Sequence, residues 1–161
     1  MRYMLDTNVF IAAKNQHYGM DFCPGFWDWL VEANRGGRVF SIEKVFNEIS
    51  TGDDELADWA SSLGSQFFLQ PTNETLTAMA EVSQWVTSNG YTPAAINTFL
   101  GVADFWLISQ AKAGSFIVVS HEKPANTIHK VKIPNVCIGM GISVMTPFEM
   151  LRREKARFVM T

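Results

Sequence analysis

Between Val45 and Ala111 the sequence has no lysine or arginine, although it carries eight aspartates and glutamates there. Such a surface repels a polyanion unless cations or a basic partner intervene; a solvated acidic face accounts for it equally well. Cysteine is scarce. Cys23 and Cys137 lie too far apart for a metal-ligand spacing and read as reduced thiols, so a disulfide scaffold is excluded. No apolar run approaches the roughly 20 residues that cross a bilayer, and the acid at position 6 comes too early for the apolar core of a signal peptide. A cytoplasmic protein is expected. Repeats and low-complexity tracts are missing as well.

What is present describes a packed globule: 161 residues, 47% hydrophobic, 18% charged, with five tryptophans. That length corresponds to one domain, residues 1–161, burying roughly two-thirds of its unfolded surface. The net charge of -3 conceals an asymmetry. Residues 1–120 hold six Lys/Arg against thirteen Asp/Glu, whereas residues 121–161 hold seven against three.

The chain is organised around Tyr3-Met4-Leu5-Asp6-Thr7-Asn8-Val9-Phe10-Ile11. Apolar residues run into an aspartate and a second apolar run follows, as in a buried strand leading to a helix capped by Thr7 or Asn8. Helices are predicted over residues 8–14 (this first one), 24–34, 41–51, 54–63, 72–88, 93–99, 100–112 and 148–157. Ser41 is the expected cap of the third, and Leu76, Met79, Ala80, Val82, Trp85 and Val86 form the expected inner face of the fifth. Strands are predicted at 39–40, 67–69, 116–120, 136–138 and 143–145. Uniformly apolar strands alternating with helices indicate an α/β fold, a parallel sheet covered on both faces.

Four acids carry the candidate chemistry. Asp6 and Glu122 each follow a strand, so parallel strands would bring both to one sheet edge, where open α/β sheets bind ligands. Asp104 falls inside the apolar arc of Leu100, Ala103, Leu107, Ile108 and Ala111. A carboxylate facing a core needs a partner, whether a metal, a shared polar site, or backbone amides and an indole N–H. Glu48 lies at the border of its helix's apolar face, with Lys44 one turn earlier as an alternative ion-pair partner. Several carboxylates without a balancing Arg or His suit Mg²⁺ or Mn²⁺, which prefer oxygen ligands and promote phosphodiester hydrolysis.

The segments holding these acids resemble the motifs of PIN domains. Leu5-Asp6-Thr7-Asn8-Val9-Phe10 is similar to the family's opening motif and Val45-Phe46-Asn47-Glu48-Ile49 to its second. Ala103-Asp104-Phe105-Trp106-Leu107-Ile108 resembles the third, Val119-Ser120-His121-Glu122 the fourth, and Thr146-Pro147-Phe148-Glu149-Met150-Leu151 the close. The Ser-His-Glu form resembles a little-characterised PIN-like branch. The resemblance implies a three-layer α/β/α sandwich around a parallel twisted sheet and Mg²⁺- or Mn²⁺-dependent endoribonuclease activity. It further implies the toxin role of VapC-like proteins, with an antitoxin partner. Asp6, Glu48, Asp104 and Glu122 would be the catalytic and metal-site acids, with Asn8 and Ser120 supporting them. Glu122 departs from the usual aspartate by one methylene. The alternative is a non-catalytic PIN-like module that binds RNA or a protein.

Lys130, Lys132, Arg152 and Arg153 are candidate RNA contacts, although cations near a helix C-terminus also complement its dipole. His121 could assist a leaving group; His17 and His129 have no partner in sequence. Trp27, Trp29 and Trp59 at helical positions are expected in the core or on a homodimer surface rather than as base-stacking platforms.

Overall fold

The computed structural model describes residues 1–160. Its strands are β1 (Tyr3–Leu5), β2 (Val39–Ile42), β3 (Phe68–Leu69), β4 (Ile117–Val119) and β5 (Val144–Met145). Its helices are α1 (Thr7–Ala12), α2 (Pro24–Arg35), α3 (Glu43–Ser50), α4 (Glu55–Ser61), α5 (Asn73–Thr87), α6 (Pro93–Leu100), α7 (Ala103–Gly114), α8 (Ile133–Met140) and α9 (Pro147–Arg153).

The five strands form one parallel sheet in the order β3-β2-β1-β4-β5. Tyr3, Met4 and Leu5 are each fully buried, although successive side chains of a strand point to opposite faces. Both faces of β1 are therefore covered by helices, as in a three-layer α/β/α sandwich. The chain moves outward from β1 through β2 to β3, then returns to the other side of β1 as β4. The strand order thus reverses between β1 and β4, and a crevice opens at the carboxyl ends of such a pair.

Helix α7 is the central packing element, lying against β2 and β4 and flanked by α3, α5 and α8. The two helices expected over 93–99 and 100–112 are both present, but their boundary is shifted: Leu100 still belongs to α6, Gly101 is its C-cap, and Val102 is the N-cap of α7, which starts at Ala103. Nor is α7 amphipathic. Phe105, Leu107, Ile108, Ser109, Gln110 and Ala111 are all buried, because layers lie on nearly every side of it. It ends on Ser115 in the left-handed region (φ 59°), from which the chain turns directly into β4.

Other expectations are corrected by context. Residues 136–138 are helical rather than a strand. Pro134 sits in the first turn of α8, and Gly141 closes that helix at φ 70°, a conformation glycine adopts without penalty. Ser41 belongs to β2 and does not cap α3. The inner face of α5 is set by Thr75, Ala78, Val82 and Val86, and Leu76 is 57% exposed. Helix α1 stops at Ala12 and continues as a π-helical turn to His17, and α9 stops at Arg153 rather than 157. Trp27 and Trp59 pack edge-on at 4.8 Å, Trp59 also meets Phe10 and Phe67, and Trp29 packs on the same core, so the tryptophans serve packing. Among the described residues no helix is long and apolar enough to cross a membrane.

The buried Ser41 hydroxyl donates to the Leu5 carbonyl at 2.6 Å, tying β2 to the end of β1. Ser41→Ala should leave that carbonyl without this partner and cost about 1 kcal/mol, measured as a lower urea midpoint with an unchanged slope.

Candidate active site

The crevice at the β1–β4 edge is built on Asp6. This residue, rather than Thr7 or Asn8, is the N-cap of α1, and its Oδ1 accepts the Thr7 N–H at 2.7 Å. Its own N–H donates to the Val119 carbonyl at 2.9 Å, which fixes it against the end of β4. Its Oδ2 accepts the Ser120 hydroxyl at 2.9 Å. The Ser120 oxygen accepts in turn from the Glu122 N–H at 3.1 Å and from Asn8 Nδ2 at 3.4 Å. Asn8 Oδ1 takes the His121 N–H at 3.1 Å. Asn8 and Ser120 therefore clamp the loop after β4 onto the start of α1.

Glu48 reaches this edge from α3. It accepts the Thr7 hydroxyl at 2.7 Å and the Ala103 N–H at 3.3 Å. The N-cap of α7, Val102, offers no side-chain acceptor, so Glu48 acts as a remote cap that ties α3, α1 and α7 together. Lys44 does not pair with it; the Lys44 ammonium lies over the Trp106 ring at 4.8 Å. Thr7 is the member that sequence reasoning missed. It touches both acids through different atoms, and its place directly after Asp6 was the available signal.

The electrostatics are those of carboxylates held against one another. Burial, then the charge of Asp104 and that of Glu122, raise the Asp6 carboxyl from 3.8 to about 8, against the lowering effect of Ser120 and Thr7. Asp104, half-buried in the first turn of α7, is raised to about 6 by burial and by the charges of Glu122 and Glu48. Lys130 pulls Asp104 the other way, so the site does have a cation at its rim, one supplied from a distant loop. One oxygen of Glu122, Oε1, is buried with no hydrogen-bond partner.

Among the described residues no three His, Cys, Asp or Glu side chains form a ready-made metal cage. A Mg²⁺-type ion does not require one, since it binds through one or two carboxylates, waters and substrate phosphate. The donors here are all hard oxygens, and the orphaned Glu122 oxygen lacks a positive partner. The chemistry of the residues fits such an ion.

The remaining candidates scatter. Lys130 is exposed at the rim of the acids. Lys132 is the N-cap residue of α8. Arg152 and Arg153 end α9; Arg153 acts electrostatically on the Tyr3 hydroxyl, which is bonded to Glu154 at 2.7 Å, toward the opposite end of β1 from Asp6. A further group lies beside the acids. The His17 and His121 rings stand 5.5 Å apart, and Phe148 is 5.2 Å from the first and 5.5 Å from the second. Burial and then His17 lower the His121 pKa. No local pattern connects two histidines so far apart in the chain; the π-helical turn brings His17 there.

A family model described as "Domain of unknown function (DUF4411)" matches residues 3–158. The chain belongs to this family. No curated protein matches its sequence significantly. Its fold is similar to that of a chain in the crystal structure of VapBC2 from Rickettsia felis bound to a DNA fragment from their promoter. The TM-score is 0.55 at 14% identity, with 91% of this chain and 98% of that chain covered. At that identity the likeness concerns the fold, and it agrees with a PIN-like three-layer sandwich.

The raised acids give stability a direction with pH. The folded protein holds protons on Asp6 and Asp104 at pH values where the unfolded chain has released them. Between about pH 4 and 8, therefore, metal-free stability should fall as pH rises. Asp104→Asn removes one of the mutually repelling charges. Its metal-free melting temperature at pH 8 should exceed that of the wild type, with a shallower decline from pH 5, by scanning calorimetry. Melting below the wild type would make Asp104 a structural residue.

Proposed function

We propose that this protein is a metal-dependent endoribonuclease that hydrolyses RNA phosphodiester bonds, acting as the toxin of a toxin–antitoxin pair. The observation that carries the reading is the convergence of Asp6, Asp104 and Glu122, from three distant segments, at the switch point of a parallel sheet. Burial first, and then the neighbouring carboxylates, raise the Asp6 and Asp104 carboxyls, with Lys130 at the rim as the one opposing cation on Asp104. A structural ion-pair network would have been built the other way.

Asp6 and Asp104 would hold Mg²⁺ or Mn²⁺, with Glu122 and Glu48 alongside. The ion, when bound, supplies neutralisation of phosphoryl charge and acidifies water. The chain's own residues do the positioning. Thr7 N–H and the Ser120 hydroxyl hold the two Asp6 oxygens in a fixed orientation. Asn8 holds Ser120 and the backbone of His121. Glu48, anchored by Thr7 and Ala103, keeps the start of α7, and hence Asp104, at the crevice. Lys130 supplies positive charge at the rim, where a substrate phosphate approaches an otherwise repellent site. Fixed donors and acceptors of this kind cost no reorganisation during reaction.

A partner protein follows from the same charge pattern. The carboxylates and the cation-free stretch 45–111 complement a basic segment, and the fold likeness to VapBC2 supports an antitoxin as that partner.

Asp6→Asn and Asp104→Asn should each lower Mn²⁺-dependent cleavage of single-stranded RNA by at least a hundredfold, with circular dichroism unchanged. Wild-type protein that cleaves no RNA in Mg²⁺ or Mn²⁺ would support the alternative, a module that holds RNA or a protein without cutting it.

A further inference from the structure

A cleft of about 480 Å³ opens directly beside the acids, between α6, the start of α7 and the loop before α8. Its walls differ in character. Glu48 and Asp104 line it and are shared with the acid site. Ala95, Phe99, Val102 and Val131 supply apolar surface, with Thr98 as a hydroxyl. His129 and Lys130, both exposed, stand on the loop side. The volume lies within the usual range of small-ligand sites, roughly 300–1,000 Å³, which are mostly apolar with a few placed polar groups.

We propose that this cleft is a subsite for one unstacked nucleotide of a single-stranded RNA, seated next to the bond that is cut. The assignment rests on the endoribonuclease reading of the neighbouring acids. A phosphate does not suit the interior, because two carboxylates and several apolar side chains line it. A nucleobase does: its uncharged faces suit Ala95, Phe99 and Val102, and its polar edge suits Thr98. The attached phosphate then falls at the rim, toward Lys130 and His129, while the next phosphate along the strand lies toward Asp104. A base stacked within a duplex cannot enter a concave site, so the cleft selects single strands or extruded nucleotides. Gly101 separates α6 from α7, and both helices contribute residues to the cleft.

The test is amide NMR of the full chain with a mixed-sequence RNA hexamer, at low salt and with EDTA to prevent cleavage. Single-stranded hexamer should shift the signals of Ala95, Thr98, Val102 and Lys130, and the same sequence as a duplex should leave Ala95 and Thr98 in place. Thr98 is exposed, so Thr98→Trp fills the cleft without entering the core, and it should weaken single-strand binding at least tenfold with signal dispersion retained. Lys130→Ala should weaken it several-fold. No shifts on α6, equal shifts with duplex, or Thr98→Trp binding like the wild type would each overturn the subsite. Should the α6 signals shift while wild-type protein cleaves no RNA in Mn²⁺, the cleft binds a single-stranded nucleotide but the catalytic reading, and with it the placement beside a cut bond, falls.

Discussion

The hydrogen bond from the Ser120 hydroxyl to Asp6 Oδ2 joins the ends of β1 and β4, and the rest of the site depends on that junction. Backbone pairing already places the two segments together, since the Asp6 N–H bonds to the Val119 carbonyl and Leu5 is in register with Val119. The side-chain bond adds direction. It turns a buried carboxylate toward the loop that carries Glu122 and, through the shared Ser120 oxygen, orders the backbone of that loop. A sheet whose strand order reverses there leaves the space above these ends unfilled.

The second constraint is that the acids are held together against their own repulsion. The bonds from Thr7 and Ser120 favour the ionised Asp6, whereas burial and the nearby charges of Asp104 and Glu122 oppose it more strongly. The fold therefore gives up stability to keep these carboxyl groups in one place, and they take up protons more readily than in the unfolded chain. Glu48 illustrates how the position is retained. Its carboxylate satisfies an otherwise uncapped start of α7, so the same contact that orders a helix end also draws a fourth acid to the rim.

Much of this was legible in the sequence, and the parts that were not have specific causes. The strand–acid–helix pattern at Asp6, the apolar run before Ser120 and the alternation of strands with helices express local periodicity, which survives folding intact. Asp104 stood out because a carboxylate interrupted an apolar arc, although α7 is buried nearly all round and the arc itself was only part of its covered surface. Residues 136–138 form a helix although a short apolar run has the same pattern in a strand and in a buried helix; Pro134 and Gly141 decide for the helix. The Lys130–Asp104 proximity, the Glu48 cap and the meeting of His17 with His121 are tertiary. They depend on which loops the topology brings to one edge, and no spacing in the chain records them.

The central claim is that these carboxylates form a divalent-cation site. The most direct measurement is a crystal of the wild-type protein grown with Mn²⁺ and examined by anomalous diffraction at the manganese absorption edge. The account predicts a peak at the β1–β4 crevice, bound by oxygen atoms of Asp6 and Asp104 and completed by water. A site with no peak, or manganese found only elsewhere on the surface, would contradict it.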